Sequence, residues 1–140
     1  MNAAPRWSPA RCQFTLIAIT ALIDRQLTSE EEFETLAIAS RSASMHELDL
    51  ATTQEWLREV VSERADSEAT WRRARKAVSD FPRDDAMQRA IYAHCADIAY
   101  ADRTIERRER RFLTFLAEGL SINAGDRRKI DEVMALKNAY

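Results

Sequence analysis

The stretch Cys95-Ala-Asp-Ile-Ala-Tyr-Ala-Asp102-Arg-Thr-Ile105-Glu-Arg-Arg-Glu109 has a counterpart near the start of the chain, Ile17-Ala-Ile-Thr-Ala-Leu-Ile-Asp24-Arg-Gln-Leu-Thr28-Ser-Glu-Glu-Glu32. Each copy reads as an apolar helix ending at an Asp, a short link closing on an aliphatic side chain, and a new helix opening on carboxylates. The offset of 78 residues that places Asp24 on Asp102 also places Ala18 on Ala96, Ala21 on Ala99, Arg25 on Arg103, Leu27 on Ile105 and Glu31 on Glu109. A duplicated helical hairpin accounts for this. Two such hairpins packed about a pseudo-twofold axis would bring the Asp-bearing links near each other.

Helix phase decides which carboxylates face inward. Glu109 shares its face with Phe112, Leu113, Leu116 and Leu120, so it points toward a core. In the first copy, spacing from Asp24 favours Glu31. Glu32 has the better apolar face, with Thr35, Leu36, Ala39 and Ala43 after it. A one-residue insertion reconciles the two, and we take Glu32 as the inward group with Glu31 as the alternative.

Carboxylates gathered at such elbows repel one another unless a positive charge answers them. Asp24, Glu31 or Glu32, Asp97, Asp102 and Glu109 therefore form a candidate site for a hard cation, which takes oxygen ligands. The same residues also serve as helix punctuation, because a carboxylate is favoured at a helix N-terminus by the backbone dipole. Asp97 sits inside a helix, where solvent or an Arg partner would also satisfy it. Both readings stay open.

The rest of the chain points the same way. Among 140 residues there are only two Gly and three Pro, two of the Pro within the first nine positions, which favours helices joined by short links. At 46% hydrophobic residues the chain can bury a sizeable core. Charged residues make up 31% but the net charge is -2, which argues against a general polyanion binder. Residues 1–8 read as a flexible tail and residues 9–140 as one helical domain.

The first helix spans about Pro9 to Ile23 and is apolar nearly all round, the mark of a helix enclosed by others. Its run is far shorter than the ~20 residues a bilayer crossing needs and lacks a clean cleavage site, so the expectation is a core helix in a cytoplasmic protein. Thr28 with Glu31, Ser29 with Glu32, and Thr52 with Glu55 fit capping boxes. After the third box, Trp56, Leu57, Val60 and Val61 make one helical face. Trp71, Ala74, Val78 and Phe81 make the next, ended by Pro82. Further helices are expected from about Asp84 to Ala101, from Arg107 to Glu118 with Gly119 as C-terminal cap, and after a cap at Asn123 with Ile130, Val133 and Met134 inward. Trp56 and Trp71 read as core, and Cys12 and Cys95 as buried free thiols.

The run from Ala99 to Leu113, with Asp102, Ile105 and Glu109 in register, resembles the TerB-like tellurite-resistance family. Its pattern is a small-residue helix, Asp-Gly, an aliphatic two residues on and Glu four later. Leu22 to Glu32 fits the first half, and the resemblance extends over about residues 11 to 138. It implies an all-α domain of about seven helices, bundle-like, with two pseudo-symmetric hairpins. It further implies a bacterial cytoplasmic stress-response setting, protein partners, a link to the inner membrane face, and a calcium-like divalent cation at the acidic junctions. The family Gly is Arg25 in one copy and Arg103 in the other, so a guanidinium stands where the Gly would leave room for an ion.

Catalysis finds no support in the motifs. There is no Gly-rich phosphate loop and no GxSxG, and neither His46 nor His94 has a Glu three residues before it. We read His94 as a buried, hydrogen-bonded structural residue and His46 as a loop residue. The basic sets Arg72, Arg73, Arg75 and Arg107, Arg108, Arg110, Arg111 read as solvated faces or a surface for an acidic partner; interleaved acids disfavour nucleic acid. The expectation is a non-enzymatic module acting through protein contacts, with a homodimer as one arrangement. The alternatives are a metal-dependent enzyme using the same carboxylates, or an adaptor docking an acidic partner on its basic helices.

Overall fold

A computed structural model describes residues 5–23, 50–62, 67–101 and 105–139. They form six α-helices: α1 (Pro9–Leu22), α2 (Leu50–Val61), α3 (Glu68–Asp80), α4 (Asp85–Tyr100), α5 (Arg107–Gly119) and α6 (Ala124–Lys137). There is no strand among the described residues. The fold class is all-α, as the sequence implies. The helix expected after Thr28 lies outside the described residues.

α1 is the centre. Ser8 caps it by accepting the Arg11 backbone N–H at 3.2 Å, and Pro9 takes the first helical position, where no N–H is needed. Every side chain from Cys12 to Thr20 is buried. α2, α3 and α4 pack around it. Its polar members do not go unpaired: the Thr20 hydroxyl donates to the Leu16 carbonyl at 2.7 Å. Ala18 on α1 and Ala96 and Ala99 on α4 are fully buried, so the apolar helices of the two repeat copies pack on each other through small side chains.

Both cysteines are buried free thiols. Burial first, then the Asp80 charge, pushes the Cys12 thiol up to about 11; burial pushes Cys95 up to about 12. Neither is a nucleophile at neutral pH.

The segment before α1 departs from the expected loose tail. The Lys76 ammonium donates to the Pro5 carbonyl at 3.0 Å, Arg6 Nε to the Asp80 carbonyl at 3.3 Å, and the Trp7 backbone N–H to Asp80 Oδ2 at 2.9 Å. The Arg11 guanidinium lies 4.2 Å from the Trp7 ring centroid. Desolvation alone would raise the Asp80 pKa. Hydrogen bonds from Lys76 and the Trp7 N–H outweigh it and hold the carboxyl below its ordinary range. Residues 5–8 are thus fastened to the end of α3.

Other boundaries shift for local reasons. α2 begins at Leu50, so Thr52 lies inside the helix rather than at its cap. Val61 is 38% exposed while Leu57 and Val60 are buried. Ser67, Asp84 and Asn123 cap α3, α4 and α6, each accepting the backbone N–H three residues on. None of α6 is fully buried: Ile130 and Met134 lean on the core but Val133 is 58% exposed, contrary to its expected inward place.

The end of α5 corrects another expectation. Gly119 is the last helical residue, and the left-handed position belongs to Ser121, with φ 57°. Ile122 N–H donates to the Ala117 carbonyl at 2.8 Å and Ser121 N–H to the Glu118 carbonyl at 3.2 Å, which is a Schellman closure with Ser in the Gly position. Gly119 serves packing instead. A Cβ there would meet Val78 Cγ1 at 2.7 Å.

Two effects then oppose each other in Gly119→Ala. Helix propensity gains about 1 kcal/mol, but overpacking costs about 1–3 kcal/mol because the β-branched Val78 cannot rotate freely away. We expect net destabilisation in urea unfolding, relieved by Val78→Ala in the same chain. We expect Ser121→Gly to stabilise by up to about 1 kcal/mol. A Gly119→Ala protein more stable than wild type would show that α3 and α5 do not approach this closely.

Candidate functional site

Of the elbow residues, Asp24, Glu31, Glu32 and Asp102 lie outside the described residues. Glu109 and Asp97 are described, and they serve different tasks. Glu109, in the first turn of α5, is 7% exposed, as its helical phase requires. Its Oε1 accepts the Glu106 backbone N–H at 3.2 Å while Glu106 returns a bond to the Glu109 N–H, a reciprocal capping box. The carboxylate sits at the positive end of the helix dipole, immediately after the second elbow.

Asp97, on α4, faces the end of α6. Lys137 Nζ donates to its Oδ2 at 2.7 Å and Asn138 Nδ2 to its Oδ1 at 2.9 Å. Partial burial would raise its pKa; the bonds from Asn138 and Lys137 outweigh that and lower it. Nothing on the described residues brings Asp97 and Glu109 to a common point. Among those residues no group of three or more His, Cys, Asp or Glu side chains could hold a metal ion. His94 is exposed, contrary to the buried role expected of it.

The sequence reading missed a polar network beside the second elbow. Tyr92, fully buried on α4, donates its hydroxyl to Asp131 Oδ1 at 2.8 Å and accepts from Arg127 Nε at 3.2 Å. Arg127 Nη2 reaches Thr114 Oγ1 on α5 at 3.0 Å, and its Nε lies 3.6 Å from Asp131 Oδ2. Burial, then the bond to Asp131, pushes the Tyr92 phenol far up, so it stays a donor. The available signal was Arg127 and Asp131 at i,i+4, placed on the same face as Ile130 and Met134.

The basic residues separate into distinct environments. Arg73 turns to Glu59 on α2, at 3.3 Å, which also holds Arg11 at 2.9 Å. Arg75 pairs with the exposed Glu68 at 2.9 Å. Arg111 lies over Trp71 with its guanidinium carbon 5.2 Å from the ring centroid. Trp71 meets Phe112 in a tilted contact at 5.7 Å and Phe115 edge-on at 5.4 Å. Arg72, Arg107 and Arg108 are exposed near this cluster in sequence, and Arg110 turns to the other flank of α5, beside Tyr100 and Arg127.

The paired apolar helices, the inward Glu109 and the all-helical order meet a direct comparison: the family model described as tellurite resistance protein TerB matches residues 12–132. The chain belongs to the TerB family. No curated protein and no solved structure matches it. Among the described residues of this TerB chain, no helix is long and apolar enough to cross a membrane.

In this TerB chain the depressed Asp97 pKa sets a pH dependence. A carboxyl whose folded pKa lies below its unfolded value near ~3.9 stabilises the fold above that value and loses the contribution as pH falls through the folded pKa. We expect Asp97→Asn to cost about 0.5–1 kcal/mol at neutral pH, because Lys137 is more than half exposed and well screened. The difference from wild type should shrink below about pH 4. Urea titrations of both proteins at neutral and acid pH measure it, and a difference unchanged by acid would deny Asp97 its ionised role.

Proposed function

We propose that this chain is a non-enzymatic, tellurite-resistance-like helical module that works by contacting an acidic protein partner. The observation that carries this reading is the face shared by α3 and α5. There the half-buried Trp71 packs edge-on with Phe115 and is overlain by Arg111, and the exposed Arg72, Arg75 and Arg108 lie within four residues of Trp71 or Arg111 in sequence. Aromatic and Arg side chains are the residues that concentrate binding energy at protein interfaces. Their guanidinium groups suit carboxylates bidentately. This setting fits a cytoplasmic stress-response role.

The test uses poly-L-glutamate as an acidic probe and follows fluorescence anisotropy of the labelled peptide. Binding should weaken steeply with salt, and Arg72→Glu with Arg111→Glu should weaken it about tenfold or more. Equal binding by wild type and the charge-reversed protein would end the reading.

A divalent, calcium-like cation at the elbows is favoured by one further observation: Glu109 presents a buried carboxylate at the start of α5, seven residues after Asp102. Asp24, Glu31 or Glu32, Asp102 and Glu109 would hold the ion through oxygen, as its chemistry requires. Asp97 is already answered by Lys137 and Asn138 and stays with α6. Glu109→Gln separates the two roles of that residue, since Gln preserves a capping box but carries no charge. Calorimetric titration with calcium should show heat for wild type and markedly weaker binding for Glu109→Gln, in a protein that still folds and loses on the order of 0.3–1 kcal/mol with the charge at the helix start. No heat for wild type would remove the cation.

A further inference from the structure

On the flank of α5 opposite Trp71, a cavity of about 610 Å³ opens toward α4 and α6. Its size falls within the roughly 300–1,000 Å³ of small-molecule sites. Leu113 and Ala135 supply an apolar wall, and Tyr100, Arg110, Arg127 and Asp131 the polar one. Asp131 is committed, accepting from Tyr92 and facing Arg127; Arg127 is committed to Tyr92 and Thr114. Two donors remain. Among the described residues, neither the Arg110 guanidinium nor the Tyr100 hydroxyl makes a hydrogen bond or ion pair. Asp131, Arg110 and Arg127 line the same cavity as that hydroxyl. Among the described residues that line the cavity, two guanidinium groups stand against one carboxylate, which leaves one positive charge uncompensated.

We propose that this cavity binds a small organic carboxylate, its oxygens held by Arg110 and Tyr100 and its apolar body laid against Leu113 and Ala135. A planar guanidinium meets a carboxylate in a two-bond fork, and the phenol adds a third donor. An inorganic oxyanion would leave the apolar wall unused. A metal cation would meet the surplus positive charge of the described lining, where Asp131 is already spent. The site is separate from the arginine–aromatic face, so the two stand or fall independently.

Isothermal titration of the full chain with hexanoate, hexan-1-ol and inorganic phosphate tests the proposal. Hexanoate should give a saturable heat and raise Tm. Hexan-1-ol and phosphate, each lacking half of the recognised chemistry, should bind at least about tenfold more weakly. Arg110→Gln should weaken hexanoate by about tenfold or more at an unchanged ligand-free Tm, because Arg110 is exposed and bonds to nothing among the described residues. Tyr100→Phe should weaken it several-fold. The idea is overturned by the absence of saturable heat at millimolar hexanoate, by full affinity in Arg110→Gln, or by phosphate or hexan-1-ol binding as tightly as hexanoate.

Discussion

The fold depends on the burial of α1 from every side. Nine successive side chains, Cys12 to Thr20, are out of water, so no arrangement that leaves one face of this helix wet can satisfy them. Each fully buried Phe, Leu or Ile contributes about 1.5–3 kcal/mol relative to exposure, against a backbone ordering cost of about 1–2 kcal/mol per residue. That balance favours folding only when the surrounding helices come close. Ala18, Ala96 and Ala99 make this possible where α1 meets α4, because small side chains reduce the distance between axes. The polar members Thr15 and Gln13 are tolerated inside only as hydrogen-bonded groups, which the Thr20–Leu16 bond illustrates.

Around that centre, carboxylates fasten the outer pieces. Asp80 holds the segment before α1, Asp97 holds the end of α6, and Asp131 joins α6 to the buried Tyr92. Asp80 accepts from the Trp7 backbone N–H and faces the Lys76 ammonium, Asp97 accepts from the adjacent Lys137 and Asn138 side chains, and Asp131 accepts from the Tyr92 hydroxyl with Arg127 beside it. Both Asp80 and Asp97 are held below the ordinary carboxyl range by those donors, despite the opposing effect of burial. The small net charge of -2 follows from near-equal counts of basic and acidic residues, 21 and 23, and these three acids are answered inside the fold.

What the sequence disclosed follows from what periodicity can encode. The enclosure of α1, the inward turn of Glu109 and the cap at Asn123 are local patterns, and residue spacing carries them. Three features were not local. The binding of Trp7 to α3 depends on Asp80, more than seventy residues away, and no short-range signal marks it. Gly119 looks like a C-terminal cap in sequence because a cap and a close helix contact use the same residue; the contact with Val78 is tertiary. The misplacement of Val133 and the missed Arg127–Asp131–Tyr92 network share one cause. An apolar face was sought on α6, whereas α6 meets α4 through a mixed face whose buried partner is a phenol.

α5 brings these strands together. Its start is closed by the Glu106–Glu109 box and its end by the Ser121 closure, and Gly119 lets it sit tight against Val78. A helix fixed at both termini and along one face has little freedom to rotate, so its exposed side chains are presented from a rigid frame. Arg111 lies over Trp71 on one flank, and Arg110 borders the cavity by Tyr100 on the other. Adjacent in sequence and about 100° apart around the axis, the two arginines serve different surfaces. A basic run that composition describes as one patch is divided by helix geometry into two, and the second flank has a concave wall for a small molecule to occupy.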